Sequence, residues 1–406
     1  MLDSIHIENY KSIKKLDLQL ARINVFIGEN GAGKSNILEA IALAGAAQAG
    51  KLDNEFLASR GVRVTDPKFM RSAFEPDDDN APITVRVSES EVEAVFKLIN
   101  DNQPYSNWTE RTNNLKVRDM EHFVKALKAF TNATTSERKF SKKRTEQLRK
   151  MFSSAFETFD GKPNPGEAIS ISYAGVASTK PALTLRPEMH GLADFIIYSP
   201  ENTALRILTK EGQIEPLGIN GEGLLKLLTV MQYDENSENI SSVKSALRMF
   251  SWFEDFNIPK NNAEGTMNIS DRFLYEECGP FDQRSANEGF LFAAFYFALF
   301  ASKLTPKFFA VDNIDASLNP AFCQELMVRL ALLAKENDKQ AILTTHNASI
   351  LDGLDLGDPD QKLFVISRTI DGHTDVTPIE YKPKSEKPVR LSTLFTAGLI
   401  GGLANF

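Results

Sequence analysis

Two stretches of the chain carry residue types that could do chemistry together. The first, GENGAGKSN from Gly28 to Asn36, fits the G-x-x-x-x-G-K-[ST] pattern of a phosphate-cradling loop. Gly28, Gly31 and Gly33, with Asn30 among them, let backbone N–H groups converge on phosphate oxygens, and a following helix would add the positive end of its dipole. In that pattern Lys34 reaches the β and γ phosphates of ATP or GTP, Ser35 ligates Mg²⁺, and Asn36 ends the stretch. The second, FFAVDNIDASLNP at 308–320, is an apolar run that breaks into a polar turn at Asp312. A carboxylate there reads as one delivered to the magnesium of a nucleotide. A hydrolase wants its base at the next position, and that position holds Asn313.

These groups need elements to aim them. RINVFI precedes the loop as an apolar strand and ILEAIALAG follows it with a helical pattern, which is the setting the motif requires. Further on, QAILTTHNASIL from Gln340 is another apolar strand ending in polar residues, and it brings His346 to its end. AFCQELMVRLALLAKEN lies between the two late strands, so the three pieces predict a β-α-β crossover with parallel strands. Their carboxyl ends then share a rim, and Asp312 and His346 are expected on the same edge as the phosphate loop. The fold class is α/β. GFLFAAFYFALFA, 289–301, falls short of the ~20 residues that a bilayer helix needs and is expected to be a buried core helix, not a membrane span.

Bulk properties narrow the function. The chain has 406 residues, 42% hydrophobic and 25% charged, with 46 Lys and Arg against 54 Asp and Glu. The net charge of -8 argues against a surface coated for nucleic acid. Cys278 and Cys323 have no paired spacing, which fits a reducing, cytoplasmic compartment without disulfide framework or zinc site. MLDSIHIENYKSIKKLDLQL alternates apolar and polar residues, as a strand pair does and a signal peptide does not.

On these motifs and their order the chain resembles the ABC-type ATPase heads of the SMC, Rad50 and RecF group. The carrying residues are IHIENYKSIKKLDLQLARINVFIGENGAGKSNILEAI, VDNIDASLNP and ILTTHNASIL, with ANEGF at 286–290 in the place of the signature segment. The resemblance covers roughly residues 1–45 and 270–385. It implies that Asp312 orders magnesium through water and that His346 contacts the γ-phosphate. It also implies that Asn287, Glu288 and Gly289 cap the nucleotide of a second subunit, so that ATP closes a homodimer or a larger assembly of heads. A plain alternative for ANEGF is an ordinary helix start with Asn287 as its cap.

Two positions depart from that pattern. Where the group places glutamate after the Walker B aspartate, Asn313 can hold water but cannot take its proton, and loss of a positioned base costs a factor of ~10² to 10⁴. Hydrolysis is therefore expected to be slow or absent, and binding less affected. Asn287 stands where the signature serine is usual, with Ser285 two residues earlier as a substitute. Asp315 reads either as a rescuing carboxylate or, in preference, as a structural residue of the turn.

The expected divisions are residues 1–90 and 266–385 as the two halves of the head, 91–265 as an inserted helical and strand region, and 386–406 as a docking tail. APITVRVSES is expected to be a strand of the head, EVEAVFKLIND and the charged text after it helical, and EAISISYAG, ALTLRPE and ADFIIYSP strands. No heptads support an SMC rod. The basic run Arg138 to Lys150 reads as a DNA-phosphate contact or as a solvated helix face, with Gln103, Tyr105 and Trp108 as aromatic surface nearby. The resemblance extends to stand-alone anti-phage defence ATPases, of the Septu type partnered by a separate His-Asn-His nuclease, or retron-associated. It implies an ATP-gated sensor or scaffold, and with no His-Asn-His constellation or Cys/His metal spacing in the text no nuclease site of its own is expected. The alternative is a RecF-like DNA-repair ATPase that binds DNA.

Overall fold

Alternation at the N-terminus builds a hairpin. β1 (Ser4–Tyr10) pairs antiparallel with β2 (Ile13–Gln19), setting Ile5 opposite Leu18 and Ile7 opposite Leu16, all four buried. Lys11 and Ser12 form the two-residue tip, with Lys11 in the left-handed region at φ 46°. The chain is described by a computed structural model over residues 1–74, 81–117, 169–171, 189–207, 214–234, 238–260, 265–380 and 390–401.

The hairpin continues into an antiparallel sheet of order β2-β1-β4-β5-β6-β7, made with β4 (Ile83–Glu89), β5 (Val92–Ile99), β6 (Thr109–Val117) and β7 (Ile169–Ile171). β5 corrects the sequence reading, which predicts helix across EVEAVFKLIND. Ala94, Phe96 and Leu98 face Val87, Val85 and Ile83 of β4 on one buried face, across a turn in which Ser90 takes φ 52°. Such cross-strand pairs outweigh a charged, helix-like local text. The sheet thereby runs past residue 90. Trp108 is a second correction: it is buried beneath the Arg71 guanidinium, 4.9 Å from its ring, and presents no surface, whereas Tyr105 is exposed. The basic run at 138–150 and ALTLRPE lie outside the described residues.

A second, mixed sheet positions the site. Its order is β15-β14-β3-β13-β12-β8, from β3 (Ile23–Gly28), β8 (Ile197–Tyr198), β12 (Phe308–Val311), β13 (Gln340–Thr345), β14 (Gln361–Arg368) and the antiparallel edge strand β15 (Thr374–Ile379). The other five strands run parallel. β3, β12 and β13 are buried at every residue, as parallel strands covered on both faces must be. Of ADFIIYSP, only Ile197 and Tyr198 are strand.

Alternate residues serve two cores. Phe26, Phe308, Ala310, Ile342 and Phe364 face α1 (Lys34–Ala49), while Val25, Phe309, Val311, Leu343 and Val365 face the other side. α1 is enclosed between the two sheets, which explains its small apolar residues: a Cβ on Gly45 would lie 2.3 Å from the Leu192 carbonyl oxygen. Three short helices follow, α2 (Asn54–Ser59), α3 (Pro67–Met70) and α4 (Asn202–Leu205). The far face is covered by α5 (Leu224–Tyr233), α6 (Glu238–Leu247), α7 (Glu288–Ala301) and α8 (Pro320–Glu336). α7 is buried from Phe290 to Ala301, each Phe or Leu contributing about 1.5–3 kcal/mol relative to exposure. A small sheet of order β11-β10-β9, from β9 (Phe253–Asn257), β10 (Asn268–Asp271) and β11 (Phe281–Asp282), packs its Phe253, Phe256 and Ile269 into the same core.

Near the C-terminus α9 (Leu391–Thr396) docks on the turn at Ala348–Gly353. Ser392 donates from its N–H and its hydroxyl to the Asp352 carboxylate at 3.0 and 2.7 Å, and Phe395 enters the core. Among the described residues no helix is long and apolar enough to cross a membrane.

Candidate functional site

The carboxyl ends of β3, β12 and β13 meet at one rim, because these strands are neighbours and parallel. β3 ends in the glycine loop. Gly31 and Gly33 take φ 79° and 112°, which favour glycine, and at Gly33 a Cβ would also meet Thr374 Oγ1 at 2.0 Å, so the loop closes there only without a side chain. Gly28 is fixed by close approach: a Cβ would lie 2.0 Å from the Ile366 carbonyl oxygen of β14.

Lys34 opens α1 and folds back over its own loop, donating to the Gly28 and Glu29 carbonyl oxygens at 2.8 and 2.9 Å, with His346 Nδ1 at 3.4 Å. Burial lowers its ammonium pKa to about 8, against the pull of Asp312, Asp315 and Glu29. His346 is held below its ordinary value, first by burial and then by the Lys34 charge, which keeps the imidazole neutral beside a cation. Ser35 Oγ donates to Asp312 Oδ2 at 2.9 Å, while Thr344 Oγ1 donates to Asp312 Oδ1. Thr344 also accepts the Asn313 backbone N–H at 2.9 Å, which fixes the turn after β12. Asn313 is exposed on the rim in the left-handed region, φ 56°, a conformation that asparagine tolerates better than most residues. Asp315 lies one layer behind, with Oδ1 accepting from Thr345 Oγ1 at 2.6 Å.

The donor set fits a nucleotide and its magnesium. Asp312 and Ser35 supply one carboxylate and one hydroxyl within hydrogen-bond distance of each other. That suits a Mg²⁺ held by few protein oxygens and by phosphates. Asn30 is exposed on the loop.

Asn36 points elsewhere. Its amide donates to Ser12 Oγ at 2.6 Å and accepts from Arg63 at 3.3 Å, fastening α1 to the β1–β2 tip. Asn287, Glu288 and Gly289 form the start of α7. Asn287 Oδ1 accepts from the Phe290 N–H at 2.8 Å and so caps its own helix, and Glu288 bonds Asn202 and Ser317. None of these contacts reaches the glycine loop of the same chain.

Several residues escape the sequence reading. Lys11, Ser12, Phe69, Phe74 and Arg368, together with the loop's own Asn36, line an open cleft of about 410 Å³ beside the loop. Arg368 donates to the Gly31 carbonyl oxygen at 2.9 Å, and Thr374 to that of Ala32 at 2.9 Å. Buried Glu39 on α1 accepts from Tyr10 at 3.0 Å, from Arg63 Nε at 2.5 Å and from Lys11. A lone carboxylate within ILEAIALAG is the one signal in the text for that network.

Known proteins resemble this chain in sequence and in fold. The AAA_21 family, described as "AAA domain, putative AbiEii toxin, Type IV TA system", matches residues 23–352. An uncharacterised protein of Methanocaldococcus jannaschii, MJECL10, is 34% identical over 113 residues, 26% of this chain and 50% of that one. The DNA replication and repair protein RecF of Rickettsia bellii is 30% identical over 145 residues, 34% of this chain and 37% of RecF. The chain thus spans half or less of the length of these curated relatives. Among solved structures, the SMC head bound to the C-terminal winged-helix domain of ScpA superposes with a TM-score of 0.50 at 15% identity, over 93% of this chain and 98% of that one. The chain belongs to the AAA_21 family and carries the fold of an SMC-type ATPase head.

Proposed function

We propose that this chain binds ATP with Mg²⁺ at the rim and that bound ATP pairs two copies of it, forming a switch whose turnover is slow or absent. The observation that carries the reading is the Lys34, Ser35 and Asp312 constellation with an exposed asparagine, Asn313, where the proton acceptor of a hydrolase is needed. Lys34 releases its two loop carbonyls to take phosphate oxygens instead. Mg²⁺, when bound, neutralises phosphate charge beside Asp312 and Ser35. Neutral His346 lies next to Lys34, and that nearness supports a role as donor to a γ-phosphate oxygen. Phe69 and Phe74, with Lys11 and Arg368, give the adjoining cleft the aromatic faces and cations that a base and ribose require. Asn287 keeps its NH₂ group for a phosphate held by a second chain.

Within that reading the chain is the ATP-gated sensor or scaffold of a bacterial anti-phage complex and controls a separate nuclease, of His-Asn-His type. The family description, which names the AbiEii toxin of a type IV system, supports a defence role. Light scattering and phosphate release on the purified chain test the core of it. ATP–Mg²⁺ should double the mass, with phosphate release ~10²-fold or more below that of an Asn313→Glu variant. A monomer at saturating ATP would end the pairing reading.

A second reading, a DNA-repair ATPase, is favoured by the RecF relatives. It requires salt-sensitive duplex binding that is lost when Lys142→Glu, Lys143→Glu and Arg144→Glu are combined.

A further inference from the structure

We propose that Glu288 is a positioning residue that fastens the start of α7 to the turn after Asp312, so that nucleotide held by one chain sets the posture of the segment that the same chain offers to its partner. The inference rests on the pairing reading above.

Glu288 receives a donor on each oxygen. Asn202 Nδ2 donates to Oε1 at 2.5 Å, and Ser317 Oγ donates to Oε2 at 2.9 Å. Ser317 belongs to the turn that begins at Asp312 and takes the left-handed region at φ 59°. The two segments also touch through backbone. A Cβ on Gly289 would lie 3.2 Å from the Ser317 carbonyl oxygen and 3.4 Å from Leu318 Cδ2, so glycine is what lets them approach.

The other side of the bridge is fixed as well. Arg206 Nε donates to Asn202 Oδ1 at 2.9 Å, which leaves only the NH₂ of Asn202 to face Glu288. The Arg206 guanidinium then spans the loop before α7, donating to the carbonyl oxygens of Gln283, Arg284 and Ala286 at 2.5, 2.7 and 2.9 Å. Gln283 is itself buried and bonded to the Met267 N–H and the Gly265 carbonyl oxygen, both at 2.8 Å. Arg206 holds the loop, and Glu288 links it to the Asp312 turn. Any displacement of that turn is handed to residues 284–290 through a carboxylate that accepts from both sides.

Hydrogen–deuterium exchange on the full chain, dilute enough to stay unpaired, tests this. Without nucleotide, Glu288→Ala should speed exchange in both 284–290 and 313–318 by about threefold, the worth of one exposed hydrogen bond. With ATP–Mg²⁺, the wild-type chain should gain protection in both segments, and Glu288→Ala only in 313–318. Glu288→Gln should restore the linked response, because its carbonyl accepts from Asn202 and its NH₂ donates to the Ser317 hydroxyl. A linked response that survives in Glu288→Ala, or one that Glu288→Gln fails to restore, overturns the assignment. Absence of ATP protection at 28–36 in the wild type refutes nucleotide binding instead, and the nucleotide-free arm still decides the role of Glu288.

Discussion

Replacing Asn313 by glutamate probes the chemistry of the rim directly. A carboxylate there can take a proton that the amide cannot, and a positioned base is worth a factor of ~10² to 10⁴. The backbone opposes the change mildly. Asn313 sits at φ 56°, and a residue less tolerant of that region costs about 1 kcal/mol, or no more than about 4 °C in melting temperature. The bond that fixes the turn uses the Asn313 backbone N–H to Thr344, so it survives the substitution. Phosphate release at saturating ATP–Mg²⁺ should therefore rise at least ~10²-fold while calorimetry shows a small loss of stability. Asp315→Asn serves as the companion, since Asp315 is the other carboxylate behind the rim. Should the natural chain hydrolyse as fast as the glutamate variant, and lose that activity with Asp315→Asn, the base is Asp315 and the argument from position 313 is wrong.

Three further outcomes are expected. Gly33→Ala should abolish ATP binding in a calorimetric titration, because its Cβ would overlap Thr374 Oγ1 at 2.0 Å in a backbone conformation alanine avoids. Lys34 has a folded pKa of about 8 against an ordinary 10.5, so between those values the unfolded chain binds more protons and this group favours folding increasingly as pH rises. ATP acts in the opposite sense: at pH 8.5 its binding should take up a proton, seen as a heat that varies with buffer ionisation enthalpy, and affinity should fall at higher pH. Glu39→Leu should cost about 2–3 kcal/mol in denaturant unfolding, less than the ~3–5 for breaking a fully buried pair because Arg63 is 65% exposed.

The text of the chain carried the sites where one residue type is needed at one spacing. The glycine loop, Asp312 and His346 are legible because phosphate cradling and strand ends impose local constraints, and the structure brings all three to neighbouring strand ends. What stayed hidden depends on pairing at long range. β5 looks helical until β4 lies beside it, and Trp108 looks like surface until Arg71 covers it. Thr344 was within sight, two positions before His346, yet nothing local says that its hydroxyl bridges Asp312 and the backbone of residue 313. Arg206 and Asn202 give no signal at all, since their partners are carbonyls and a carboxylate some 80 residues away in sequence.

β3, which carries the glycine loop, lies between β13 and β14, strands that begin at Gln340 and Gln361. During synthesis its flanks stay bare until those two strands emerge, about 300 residues later, a wait of roughly half a minute at ~10 residues per second. A ribosome-bound fragment holding the whole GENGAGKSN text should be blind to nucleotide and sticky along both strand edges, and dependent on chaperones until β13 and β14 are made.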